Sequence, residues 1–116
     1  MKLRFTKYDK LWSKLVRERD GKCLYCGRKP PYVLNAHHFV RRGVKATRLM
    51  LENGVTLCFL HHTSSHEFSA HKTPEAFKTW FTSTYPERAS LIHAKEREHR
   101  SERQAIQEFI QLTQEQ

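Results

Sequence analysis

Five residues in the middle of the chain have the types and spacing that phosphodiester hydrolysis needs. They are His37, His38, Asn53, His62 and His66. Three imidazoles can hold one metal ion and leave coordination positions free for a phosphate oxygen and for water. A neutral imidazole, with an ordinary pKa of about 6.5, is a suitable general base, and an asparagine carbonyl can fix its tautomer. We therefore predict an open metal site with a histidine base, although spacing alone does not say which histidine is the base.

Two short pairs of ligand-type residues predict a second, closed metal site. They are Cys23 with Cys26 and Cys58 with His61. Structural zinc takes four tetrahedral ligands, and a turn with two intervening residues presents two of them at a suitable separation. The alternatives are coincidental spacing or a redox Cys-x-x-Cys, which is expected in a thioredoxin-like βαβ setting that this sequence lacks. A finger with two cysteines and two histidines fits poorly, because only ten residues separate Cys26 from His37.

At these residues the sequence resembles the HNH endonucleases, whose ββα-metal core is a two-stranded hairpin followed by a helix. The matching segments are 35–39 (Asn-Ala-His-His-Phe), 52–58 (Glu-Asn-Gly-Val-Thr-Leu-Cys) and 61–66 (His-His-x-x-x-His). The resemblance covers about residues 20–70 and is strongest for the zinc-knuckle members, which are common in phage genomes.

The resemblance implies a role for each residue of the open site. His37 is the first metal ligand, and His62 and His66 complete the metal site from the helix. His38 is the general base, and Asn53 bonds to His38 and fixes its ring. Adjacent side chains on a strand point to opposite faces, so His37 and His38 share one site only if the strand ends, twists or bulges there. The implied products carry 5′-phosphate and 3′-hydroxyl ends.

Two metal ions are expected, but the sequence does not decide which ion each neighbouring histidine binds. His61 stands where the second knuckle of the family usually has a cysteine, so an exchange of roles between His61 and His62 stays open. The closed site suits a structural Zn²⁺. The histidine-rich open site suits a borderline transition metal, while Mg²⁺ or Mn²⁺ can still serve in turnover, so the catalytic divalent ion is Mg²⁺, Mn²⁺, Ni²⁺ or Zn²⁺.

The chain is strongly basic, with a net charge of +9 and a pI of about 9.8 over 116 residues. That balance favours a polyanionic partner, here DNA; an acidic membrane surface and a solvated surface without a specific partner are the alternatives. Basic residues between the predicted base and its orienter are expected to bind phosphates beside the cut, without reading sequence. They are Arg41, Arg42, Lys45 and Arg48.

The three cysteines and the amino-terminal residues indicate a reduced, intracellular setting. Three cysteines cannot all pair, and the start of the chain lacks the apolar run of a signal peptide. We expect a cytoplasmic protein, in the host cytoplasm if it is phage-encoded. A packaging or recombination partner is compatible with this, and the oligomeric state stays open.

Apolar periodicity and turn residues predict the elements that position these groups. Helices are predicted at 6–19 and about 59–69 and beginning at Pro74 and Pro86, with strands at 33–40 and 55–58. A capping box at Ser101 and Gln104 predicts a separate last helix, and one long helix from 86 to about 112 is the alternative. The predicted fold class is α+β, with a small ββα-metal (His-Me finger) core, a zinc knuckle and flanking helices. One domain is predicted over 1–116, with the core at about 20–70 and a helical extension at about 73–114.

The combined prediction is a metal-dependent endonuclease that hydrolyses DNA phosphodiester bonds with low sequence specificity, by nicking or double-strand cleavage. It uses a histidine base and one catalytic metal ion. The alternative is a non-catalytic, zinc-dependent nucleic-acid-binding module. A structure-selective or RNA-directed nuclease is a third reading that the same chemistry allows.

Overall fold

The computed structural model describes residues 4–114. The helices are α1 Phe5–Asp20, α2 Lys45–Arg48, α3 Pro74–Thr84, α4 Pro86–Glu96 and α5 Glu102–Gln114. The strands are β1 Leu34–His38 and β2 Gly54–Cys58, with a 3₁₀ turn at Leu51–Asn53 and a π-helical turn at Leu60–Ser64. The fold is α+β, as predicted. Across residues 4–114, no helix has both the length and the apolar character needed to cross a membrane.

The two strands form an antiparallel hairpin that pairs Leu34 with Cys58 and His38 with Gly54. Every residue of β2 is buried, because α1 covers one face of the hairpin and apolar side chains of α3 and α4 cover the other. On the α1 face, the hydroxyl of Thr56 donates a hydrogen bond to the buried carbonyl of Val16 at 3.2 Å.

Two apolar clusters flank the hairpin. The first contains Val55, Leu57, Phe77, Phe81 and Ile92. The second contains Trp12, Val16, Leu49, Ile106 and Phe109. The hairpin is therefore held between two separate groups of helices, and each face of β1 meets a different environment.

Gly54 permits the close approach of α1 to the hairpin. A Cβ atom there would lie 2.9 Å from Cζ2 of Trp12 and from Cγ1 of Val16, and nearer still to Cγ2 of Val16. The φ angle of Gly54 is −90°, which any residue can adopt. Glycine is needed here for space, so the packing of α1 depends on the missing side chain.

The predicted helix at about 59–69 is confirmed only in its first part, because helical structure there is limited to the π-helical turn Leu60–Ser64. The separate last helix is confirmed. The backbone N–H of Ser101 donates to Oε1 of Gln104 at 2.9 Å, and the N–H of Gln104 donates to the Ser101 hydroxyl at 3.1 Å. Since α4 ends at Glu96, the alternative of one long helix is wrong.

Candidate metal centres and the cleft between them

Three cysteines and one histidine converge at the open end of the hairpin. The ligand atoms of Cys23, Cys26, Cys58 and His61 all lie within 4.8 Å of one another. The two sulfurs of Cys26 and Cys58 are 3.8 Å apart, and Nδ1 of His61 lies 3.3 Å from the Cys58 sulfur. Tetrahedral Zn²⁺ with bonds of about 2.3 Å places sulfurs about 3.8 Å apart. These four residues can therefore hold a structural metal ion.

A tight turn builds the first half of this site. Gly27 has a φ of 80°, a value that favours glycine, and its N–H donates to the carbonyl of Cys23 at 2.9 Å. The N–H of Cys23 donates to the carbonyl of Arg28, also at 2.9 Å. The N–H of Leu24 donates to Thr56 and ties the turn to β2. The ligands are thus fixed by backbone bonds as well as by any metal.

The electrostatics favour a thiolate at one cysteine. Burial opposes ionisation of the Cys58 thiol, but hydrogen bonds from the His61 backbone, from Cys26 and from Arg28 outweigh it and lower the pKa of Cys58. Burial raises the pKa of Cys23. Burial and the positive charge of Arg28 lower the pKa of His61, which keeps its ring neutral and able to bind metal.

Three histidines form a second group on the other side of the hairpin from α1. The ligand atoms of His37, His62 and His71 lie within 4.8 Å of one another, and the Nε2 atoms of His62 and His71 are 3.3 Å apart. His66 is exposed and lies outside this group. The structure thus joins two of the three predicted ligands, His37 and His62, and adds His71, which lies outside the predicted set.

The backbone explains why His71 replaces His66 in the group. After the π-helical turn the chain reverses, and the N–H groups of Ala70 and His71 donate to the carbonyls of His61 and His62 at 2.9 and 3.0 Å. This pairing places His71 beside His62 and turns His66 away at the bend. It also separates the two adjacent histidines, so that His61 joins the cysteines and His62 joins His37.

All resolved pKa shifts in this group favour neutral imidazole. Burial, followed by the charges of His62 and His71, lowers the pKa of His37 to about 3. Burial, followed by the charge of His71, lowers the pKa of His62 to about 4. Both rings therefore keep a lone pair available at neutral pH, and protons compete weakly with a borderline metal ion.

His38 points to the opposite face of β1, as adjacent strand positions require. Its ring stacks on Trp12 at a centroid distance of 3.9 Å and an interplanar angle of 13°. Its Nε2 lies 2.9 Å from the carbonyl of Arg48, which can only accept, so this nitrogen carries the proton. Nδ1 of the neutral ring is then free to accept a proton. Burial lowers the pKa of His38, and the carbonyl of Arg48 opposes part of that shift.

Asn53 does not bond to His38, contrary to the role that the resemblance implies. Its side chain is fully buried; Nδ2 donates to the carbonyls of Val40 and Thr47 at 3.1 Å each, and Oδ1 accepts from the N–H of Val40 at 2.8 Å. These bonds hold the chain that leaves β1. The carbonyl of Arg48, rather than the amide of Asn53, orients the His38 ring.

His38 and the three-histidine group open onto one cleft of about 470 Å³. We call this the histidine cleft; its titratable lining residues are His37, His38, His62, His71, Arg41, Arg42 and Lys78. The strand separates the two kinds of histidine by face, and the cleft at the strand's end brings them to a common space. Such a space can hold a phosphodiester between a metal ion and a neutral imidazole.

The four predicted phosphate-binding residues have different surroundings. Arg41 and Arg42 are exposed and line the histidine cleft, and Lys45 is exposed in the short helix α2. Arg48 is engaged inside the protein: it donates twice to the Asp9 carboxylate, at 3.0 and 2.6 Å, and its guanidinium lies over the Phe5 ring.

Lys78 of α3 also lines the histidine cleft. Sequence reasoning missed it, because Lys78 is far along the chain from the histidines and lies in a helix that no motif covers.

Compared with models of protein families, with curated proteins and with solved structures, the chain matches none of them. Function is therefore inferred from the geometry of the two metal-binding groups and of the cleft.

Proposed function

We propose that this protein is a metal-dependent endonuclease of the HNH type that hydrolyses DNA phosphodiester bonds. The observation that carries the proposal is the shared cleft, in which the three-histidine group faces the same space as His38. The basic side chains around that cleft suit a polyanionic substrate. In this proposal the hairpin and the π-helical turn that follows it correspond to the ββα-metal core, and the Cys₃His group holds a structural zinc.

The catalytic ion would be held by His37, His62 and His71. When bound, it would neutralise charge on the scissile phosphate and stabilise the leaving oxygen. Three protein ligands leave coordination positions open for that purpose. The lowered pKa values of His37 and His62 support this use, because both rings are neutral without metal.

His38 would act as the general base. Its Nε2–H donates to the carbonyl of Arg48, so Nδ1 can take the proton of an attacking water as the new P–O bond forms. Arg48 is itself held in place by its two hydrogen bonds to Asp9, and stacking on Trp12 fixes the plane of the His38 ring. The attack breaks the bond between phosphorus and the 3′ oxygen, and that oxygen takes a proton from solvent water, so the ends are a 5′-phosphate and a 3′-hydroxyl.

A non-catalytic nucleic-acid-binding module is the second candidate, and one observation favours it. A binding module needs no base oriented by Asn53, and Asn53 here serves only the backbone. The three-histidine group argues in the other direction, since a scaffold already held by the Cys₃His group needs no second, open metal site.

The test is nicking of supercoiled plasmid by zinc-loaded protein with added Mg²⁺, Mn²⁺, Ni²⁺ or Zn²⁺. We expect His38→Ala to lower the rate by about 10²–10⁴, the range for loss of a general base. His71→Ala should abolish metal-dependent nicking, and the matched His66→Ala should retain it. DNA ligase should reseal the nicks directly, because their ends are a 5′-phosphate and a 3′-hydroxyl.

If instead His66→Ala abolishes nicking and His71→Ala retains it, the third metal ligand is His66, as the sequence predicts. If folded, zinc-loaded wild type nicks with none of the ions but still binds DNA, the nuclease proposal is wrong and the binding module is favoured.

A further inference from the structure

A second cleft meets the histidine cleft at His38. We call it the α1 cleft; it has a volume of about 510 Å³ and is lined by Asp9, Lys10, Trp12, Ser13, Arg17, Ala36, His38 and Arg42. Ala36, His38 and Arg42 line both clefts. A continuous concave surface therefore runs from α1, past the proposed base, to the three-histidine group.

The charge of the α1 cleft is positive in effect. Its carboxylate, Asp9, is engaged by Arg48 through two hydrogen bonds and lies 3.5 Å from Arg42. Within residues 4–114, Lys10 and Arg17 make no ion pair with an acidic side chain, and Arg17 donates only to Ser13 through Nε. Two cations are thus left facing a cleft in which Asp9, the one acidic residue among the described lining residues, is already ion-paired.

The neighbouring stripe of α1 is different. Lys14 is ion-paired with Glu18 across one helical turn, at 3.8 Å, and both side chains are largely exposed. That arrangement is typical of a solvated helix face. Lys7, outside the cleft, makes no ion pair among residues 4–114 either and lies over the Tyr8 ring, so what distinguishes Lys10 and Arg17 is that they line the cleft.

The spacing of these cations matches a nucleic-acid backbone. Lys10 and Arg17 are separated by seven residues, so they lie on one face of α1 and about 10 Å apart along its axis. One DNA strand carries a phosphate about every 3.4 Å along the duplex axis, so this distance covers about three phosphates. Ser13, between them, adds a hydroxyl at the same face.

We infer that the α1 cleft binds the sugar-phosphate backbone of a DNA strand through Lys10 and Arg17. The strand would then continue past His38 into the histidine cleft, where Arg41 holds the other side of the cut. The position of the strand relative to the cut rests on the proposed nuclease function. The assignment of α1 as a DNA-binding surface depends only on its own charges and shape.

The test compares two double variants of the full chain that remove the same charge from the same helix. Lys10→Gln with Arg17→Gln removes the cleft cations, and Lys7→Gln with Lys14→Gln removes exposed cations away from the cleft. Binding to a short fluorescent DNA duplex is measured by anisotropy over a range of KCl concentrations, without an added catalytic ion. Circular dichroism checks that both variants fold.

Each phosphate contact contributes about 0.9 to the slope of log K against log salt concentration. We expect the cleft variant to lose about 1.8 from that slope, which is two contacts, and the matched variant to lose much less. Equal losses in both variants, or no loss in either, would overturn the inference, because only the total charge would then matter.

The same proteins are assayed for plasmid nicking. Nicking by the wild type together with an unchanged salt slope in the cleft variant would refute the α1 surface and leave the nuclease intact. A smaller salt slope in the cleft variant, together with no nicking by the wild type, would support the DNA-binding surface and refute the nuclease.

Discussion

Gly54→Ala should destabilise the protein by forcing α1 away from the hairpin. The added Cβ would lie 2.9 Å from Cζ2 of Trp12 and from Cγ1 of Val16. Optimal carbon contacts are about 3.5–4.0 Å, so each neighbour must move by about 0.6 Å or more. Trp12 is 1% exposed and Val16 is fully buried, so neither side chain has free space to move into.

Overpacking of this kind costs about 1–3 kcal/mol in free energy of unfolding. For a chain of 116 residues that corresponds to a fall in Tm of about 4–12 °C. Urea unfolding followed by circular dichroism measures the change. Nicking should fall as well, because the His38 ring is stacked on the indole that must move.

Gly43→Ala is the matched control. A Cβ there would lie 2.7 Å from Nη1 of Arg41, the far end of an exposed, flexible side chain that can swing away. We expect a change within about 0.5 kcal/mol, as for most surface substitutions. Adding Val16→Ala to Gly54→Ala should make the two changes less than additive, since the second removes atoms that the first strikes. Equal stability of the Gly54 and Gly43 variants would refute the described packing of α1.

Two further predictions concern the metal centres and the base. Cys58→Ser should lower the bound zinc by one equivalent and reduce Tm, because metal binding at the Cys₃His group is coupled to folding; elemental analysis and thermal unfolding measure both, and unchanged zinc content would contradict the ligand assignment. The pH–rate profile for nicking should have its acid limb below the ordinary histidine value of 6.5, because burial lowers the pKa of His38 and only the neutral ring can act as base. Trp12→Phe, which uncovers part of the ring, should move that limb upward, whereas a wild-type limb above 6.5 would show that His38 is not the titrating base.

The closed metal site was predictable because its ligands lie in two local pairs. Each pair spans a single turn, so the fold only has to bring Cys58 at the end of the hairpin close to the turn that contains Cys23 and Cys26. Local signals likewise predicted the second strand and the last helix: the apolar-rich segment that begins at Val55, after the turn residues Asn53 and Gly54, and the capping box at Ser101 and Gln104.

The open site was only half predictable, because it depends on a chain reversal. The backbone bonds from Ala70 and His71 to residues 61 and 62 are set by tertiary pairing, which no helical spacing predicts. One signal was present in the sequence: Ser65 and Ser69 are residues that favour turns over helix interiors. Their hydroxyls accept hydrogen bonds from backbone N–H groups within this segment, as such turns require.

The role of Asn53 was mispredicted for a different reason. Its type and position agree with the resemblance, but an amide side chain can serve either a neighbouring ring or the backbone, and spacing does not distinguish the two. Once the side chain is buried, its three hydrogen bonds to Val40 and Thr47 satisfy it without His38.

The stacking of Trp12 on His38 gives the protein a built-in optical probe. An indole in van der Waals contact with an imidazole loses fluorescence when that ring becomes positively charged, because the excited indole transfers charge to it. The second tryptophan, Trp80, packs among Tyr25, Phe68 and Phe77, away from this pair. In a Trp80→Phe background, the emission of Trp12 would therefore follow the protonation of His38 directly, with no substrate and no turnover.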